Sequence, residues 1–218
     1  MGTTENLNLQ VLVEQDSVGA TGEGTWRGAK GNKMGFQIVT DFFTQMAIEQ
    51  RVFQIRAGDI ATPLIGDVPI ADTKCEYCAD CIIGTTIIPV HASIGVTLEP
   101  GTANQIKIQS VGVVSSAGTA FVPLNTYLGG RGAASSGRVA AAGGVTVTAE
   151  AVTTTRLHYA NGQGIAAGAY LQSCEWNPKA PPVLVGPACC YVQIGATTTG
   201  PSYFANLEYI ELPTDGVS

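Results

Sequence analysis

Runs of β-branched and aromatic residues, broken by Gly, Pro and Asn at short intervals, most constrain what this chain can fold into. Leu7, Leu9, Val11 and Val13 alternate with Asn8, Gln10 and Glu14, which splits the apolar and polar side chains between the two faces of a strand. Similar runs occupy residues 35–40, 51–56, 82–98, 105–114, 120–124, 144–159, 169–176, 183–194 and 203–212. Residues 40–50 (TDFFTQMAIEQ) fit either a strand continuing from 36–39 or, the reading favoured, a short helix capped by Thr40 or Asp41 with Phe42, Phe43, Met46 and Ala47 on one face. A helix that short cannot carry the crossover that neighbouring parallel strands require. The expected fold class is therefore all-β, a sandwich or barrel of antiparallel strands.

The last third carries the strongest strand signal. Residues 183–194 and 203–212 flank a Thr/Gly/Pro turn and predict one long hairpin, distorted at Gly186-Pro187. In the second run, Tyr203, Leu207 and Tyr209 fall on one face, and Phe204, Ile210 and Leu212 on the other. The first set is expected to fill the core. The second set would expose large apolar groups that soluble monomers rarely tolerate, so Phe204, Ile210 and Leu212 are expected at a subunit interface. Residues 129–144 (GGRGAASSGRVAAAGG) offer almost no side chains to pack and predict a mobile loop outside the core. Asn161-Gly162 predicts a tight turn after strand 144–159. Residues 17–33 predict a Gly-rich loop whose basic cluster, from Trp26 to Lys33, is solvated.

Charge is scarce. Only 13% of the 218 residues are charged, while 45% are hydrophobic and 27 are Gly. A surface with so few charges is cheap to desolvate, which suits a subunit with several neighbours. The net charge of −6 argues against a dedicated nucleic-acid binder, whose footprint is a basic patch or arm. Met1 to Gln10 lacks the basic and apolar regions of a secretory signal, and no apolar run reaches the ~18 residues of a membrane span, so neither is expected.

Chemistry-bearing motifs are few. Cys75, Cys78 and Cys81 form two overlapping C-x₂-C units that could supply thiolates to zinc, with Cys174, Cys189 or His91 completing the set. A second C-x₂-C is missing, so no metal is expected, and the thiols are read as small buried hydrophobes. Cys189-Cys190 should point to opposite faces of a strand. His91 and His158 lie in strand patterns without a nucleophile motif beside them. Asp59, Asp67 and Asp72 sit in a Pro/Gly loop, and Glu208 and Glu211 point to opposite faces, so no carboxylate pair emerges. No catalytic residue and no cofactor are expected.

Residues 200–212, GPSYFANLEYIEL, resemble the last strand of jelly-roll capsid proteins, which often ends in an aromatic–hydrophobic–Glu sequence. The resemblance implies a single jelly roll over residues 1–218, with about eight main strands, long Gly/Thr-rich loops, and 1–33 as an N-terminal arm and loop. It implies a self-assembling shell subunit in the virion, whose partners are copies of itself and other capsid proteins. Met1 to Gln15 contains no Lys or Arg. In that respect the chain is more similar to shells of tailless icosahedral viruses whose genome is kept apart, for instance by an internal membrane, than to those with a genome-binding arm. Two rival readings share the β-sandwich: a trimeric binding module of the tumour-necrosis-factor, C1q or phage-fibre type, and a carbohydrate-active enzyme.

Overall fold

Eight antiparallel strands account for the architecture in the computed structural model, which describes residues 10–12, 26–28, 42–68, 71–98, 104–140, 144–163, 173–197 and 199–214. They are β1 (Val52–Ala57), β2 (Tyr77–Cys81), β3 (Thr85–Leu98), β4 (Asn104–Val111), β5 (Arg156–Gln163), β6 (Ser173–Trp176), β7 (Ala188–Ala196) and β8 (Ser202–Pro213). One sheet has the order β1-β8-β3-β6 and the other β2-β7-β4-β5. Every connection except β4 to β5 passes from one sheet to the other. Phe53, Ile55, Ile87, Ile94, Leu207 and Tyr209 from the first sheet meet Tyr77, Ile106, Ile108, Cys190 and Val192 from the second in one buried cluster. The fold is an all-β sandwich, as the turn spacing requires.

Period-two alternation decides what each strand buries. In β8, Tyr203, Ala205, Leu207 and Tyr209 face the core, while Phe204, Asn206 and Glu208 are half-buried on the outer face. Full burial of a side chain such as Leu207 contributes about 1.5–3 kcal/mol. β7 differs, with all nine residues buried. Its Cys190, Val192 and Ile194 fill the sandwich core, and its Cys189 and Tyr191 belong to a second buried cluster on the sheet's other face. Cys189 and Cys190 therefore do point opposite ways.

Pro89 does not break β3. Its missing N–H falls between the two partners on that edge, Leu184–Val185 opposite Thr86 and Ile87, and β6 opposite Ala92 to Gly95. On the other edge the register to β8 shifts between Glu208 and Tyr209, leaving Val90 as the extra residue of a bulge. Phe204 of β8 lies against Gly95 of β3. A Cβ at position 95 would come within 2.4 Å of that ring.

Several expectations need correction. The two C-terminal runs are not a hairpin, because β7 and β8 lie in opposite sheets. The chain switches sheets at Gly186-Pro187, a cis peptide between Leu184–Val185, which pairs with β3, and β7. Residues 129–144 are not simply a mobile loop: Ser136–Val139 pairs with β2 on one side and with Thr119–Phe121 on the other. The expected strand 144–159 is two pieces, Val145–Thr146 and β5. Asn161 and Gly162 are no turn but lie within β5, paired with Ile106 and Gln105. Trp26–Gly28 is not loop either, for it pairs with Gln10–Leu12. The expected strand at 35–40 lies outside the described residues.

The one predicted helix is present as α1 (Phe42–Ile48). It ends in a Schellman arrangement, with Gln50 N donating to Ala47 O at 3.0 Å and Arg51 N to Met46 O at 2.9 Å. Gln50 takes the left-handed position, φ 61°, where Gly is usual. Its side chain accounts for the exception: Oε1 accepts from Arg131 N at 3.0 Å. No helix among the described residues is long and apolar enough to cross a membrane.

Candidate functional site

The described residues between β4 and β5 (112–140 and 144–155) cover the outer face of β2 and β7, and chemistry-bearing side chains collect beneath them. Strand alternation sends Tyr77, Ala79 and Cys81 into the sandwich and leaves Cys78 and Asp80 on this outer face. Cys189 arrives beside them from β7, where it pairs with Asp80 in register. Cys75 enters from Lys74–Cys75, which pairs with Val145–Thr146. Val111, Val145, Val147 and Tyr191 complete the apolar wall.

Cys78 Sγ, Cys189 Sγ and an Asp80 carboxylate oxygen lie within 4.8 Å of one another. Asp80 is 2% exposed and held by three donors. Ser115 N reaches Oδ1 at 2.7 Å, while Ser115 Oγ at 2.7 Å and Arg138 Nε at 3.1 Å reach Oδ2. Ser115 Oγ also stands 3.1 Å from Cys78 Sγ. Burial pushes the Cys75 and Cys189 thiols well up. It pushes Cys78 up as well, but hydrogen bonds from Cys189 and Cys75 outweigh it and bring that thiol down to about 5. All three sulfurs are 0–1% exposed, in a space closed to water.

The cysteine run therefore divides. Cys81 Sγ faces the main core and bonds Thr85 O at 3.2 Å and Leu184 O at 3.3 Å. Cys174 and Cys190 also lie in that core. His91 is elsewhere, 3.8 Å from Glu208 on the outer face of β3 and β8. Of the residues weighed as completing a metal set, the structure brings up only Cys189. The run itself contained a legible signal for Asp80, two positions after Cys78 and hence on the same face. Ser115 and Arg138 had none, since both come from stretches without a readable pattern.

Other titratable side chains lie outside this cluster. Asp59 spends its carboxylate on a local turn, accepting from Ala61 N and Thr62 N. Glu76 is 2% exposed and accepts from Asp67 N and Ile194 N, so it reaches no solvent. Ser110 Oγ lies 2.8 Å from His158 Nε2 beside a 370 Å³ cleft lined by Val111, Arg156 and residues 182–185. Burial and the Arg156 charge push the His158 pKa down. The charged group beside it is the Arg156 cation, not the carboxylate that orients the histidine of a Ser-His-Asp triad.

On the surface, the expected interface set is split. Phe204 and Leu212 are half-buried, whereas Ile210 is 1% exposed and already covered within the chain. Asn206 and Glu208 separate Phe204 from Ile210. The larger apolar exposure is elsewhere. Phe42 at 61% and Ile48 at 57% project from α1; Ile48 lies by Tyr127, 50% exposed, and the following residue, Leu128, is 93% exposed. Phe43, Ala47, Ile48 and Tyr127 line a shallow apolar groove there.

Comparison with protein-family models, with curated proteins and with solved structures finds no match to this chain.

Proposed function

We propose that the protein is a structural subunit of an icosahedral virus capsid, built as a single jelly roll and assembling through repeated contacts with its own copies. The strand order supports the fold part of this reading. Two sheets ordered 1-8-3-6 and 2-7-4-5, with chain crossings between them at all but one connection, are the arrangement of two interleaved Greek keys. The single observation that carries assembly is the apolar surface of α1 with Tyr127 and Leu128. Such a patch, on a chain with only 13% charged residues, is what a subunit hides against neighbours. Phe204 and Leu212 extend the contact set, and Ile210 supports the strand from within. Contacts of standard size, on the order of 1,200–2,000 Å² each, hold a shell without any active site. Other capsid proteins or an internal membrane would be the remaining partners, and the virion its location.

The test is the particle state of the purified full chain, by light scattering and negative-stain microscopy. Closed particles or capsomers are expected. Phe43→Asp should leave a folded subunit that no longer assembles. A discrete trimer unaffected by Phe43→Asp would favour the trimeric binding module instead.

A further inference from the structure

The structure assigns a structural metal site to the cluster under the β4–β5 insertion, with Cys78, Cys189 and Asp80 as ligands, Cys75 as the fourth, and a thiolate-preferring divalent cation, zinc above all, as the ion. Three separate stretches bring these groups together: Lys74–Cys75, β2 and β7. The two sulfurs and the carboxylate oxygen span no more than 4.8 Å. Zinc binds sulfur at about 2.3 Å and carboxylate oxygen at about 2.0–2.2 Å, so tetrahedral ligands stand roughly 3.8 Å apart. Small side-chain rotations of Cys78, Asp80 and Cys189 would bring the three to that spacing around one ion. Cys75 is buried in the same cluster as Cys78, and the pair has the C-x₂-C spacing common to structural zinc sites.

The surroundings fit a ligand set better than an apolar filling. Asp80 is fixed by Ser115 N, Ser115 Oγ and Arg138 Nε, as ligating carboxylates are fixed by outer hydrogen bonds. A closed Cys₃Asp site around zinc would carry a net negative charge, and the Arg138 guanidinium lies where it offsets part of that charge. The other three cysteines lack this setting, since Cys81, Cys174 and Cys190 lie among apolar side chains of the main core. All four proposed ligands are 0–2% exposed, which leaves no position for water or substrate. The site is structural. Binding would release the thiol protons to solvent and tie Lys74–Cys75 to β2 and β7, beneath the insertion that covers them.

Cobalt(II) is the probe. The full chain, purified under reducing conditions and stripped by chelator, should take up one equivalent, with sulfur-to-cobalt charge-transfer and tetrahedral ligand-field bands that zinc displaces. Cys189→Ser should abolish the charge-transfer band or cut cobalt affinity at least tenfold, Arg138→Gln should weaken it roughly tenfold, and Cys81→Ser should leave it unchanged. Absent bands in the unmodified chain, or equal bands in Cys189→Ser, would overturn the site. So would a Cys78–Cys189 disulfide found by mass spectrometry in protein prepared without reductant. Should Cys189→Ser fail to fold, thermal denaturation of the unmodified chain decides. Chelator must lower its Tm and zinc restore it, and an unchanged Tm refutes the proposal.

Discussion

Glu211→Gln should loosen the segment before Ser136 from the end of β8, and the structure sets the size of the effect. Glu211 is 2% exposed. Its Oε1 accepts from Ala134 N at 3.1 Å and pairs with Arg131 Nη1 at 3.1 Å, while its Oε2 accepts from Ser135 N at 2.8 Å and Ser135 Oγ at 2.5 Å. An amide nitrogen in place of either oxygen faces donors. The better rotamer keeps the two Ser135 bonds and sets the amide against Ala134 N–H. The Ala134 bond is only part-buried, so its loss falls at the low end of the about 1.5–3 kcal/mol of a bond to a charged group. The Arg131 pair adds less than about 1 kcal/mol, because Arg131 is 41% exposed and screened by water. The sum is about 2 kcal/mol, or a fall in Tm of about 4–8 °C for a chain of this size. Differential scanning calorimetry reads that fall. Trypsin supplies a local readout: cleavage after Arg131 should accelerate, while Arg138, paired on both sides in the sheet, stays protected. An unchanged Tm with equal cleavage at both sites would show that Glu211 does not hold this segment.

Other outcomes follow from the same contacts. Leu207→Ala, at 0% exposure in the core, should cost about 2–5 kcal/mol, measured as a shifted urea midpoint at constant slope. Ile210→Asp should unfold the subunit rather than merely block assembly, because Ile210 is already covered, and circular dichroism separates the two outcomes. Gly186→Ala should prevent folding, since its Cβ would lie 1.9 Å from Ile82 O, and soluble expression at the parent level would contradict the close approach. His158 is favoured neutral in the folded state, so its contribution is complete above its ordinary value of 6.5 and is lost as the pH falls through the depressed folded pKa. His158→Gln keeps a partner for Ser110 and should flatten that acid-side loss in Tm, and an identical pH profile would exclude His158 as its source.

Much of the all-β class was readable from local pattern, because alternation and turn residues act over a few positions. β8 shows it: Tyr203, Leu207 and Tyr209 were legible as one face from their spacing, and that face fills the core. The short helix was legible too, from the spacing of Phe42, Phe43, Met46 and Ala47, while its expected caps Thr40 and Asp41 lie outside the described residues. Local pattern failed where a residue's fate depends on a distant partner. Residues 129–144 read as loop because Gly, Ala and Ser carry little packing signal, yet β2 offers an open edge, and backbone hydrogen bonds to it need no side chains. Asn161-Gly162 carries a turn signal, but pairing with β4 across Ile106 and Gln105 overrides it.

The thiol cluster shows the same division most sharply. Sequence by itself determined that Cys78 and Asp80 share a face and that Cys189 and Cys190 oppose each other, since a strand's period of two depends on nothing beyond the backbone. It could not decide which cysteine meets Cys78. That depended on β7 lying beside β2 across more than a hundred residues of intervening chain, and on the β4–β5 insertion closing over the outer face. Cys81 turned inward and Cys189 came up in its place, because sheet register, not sequence distance, sets which side chains touch.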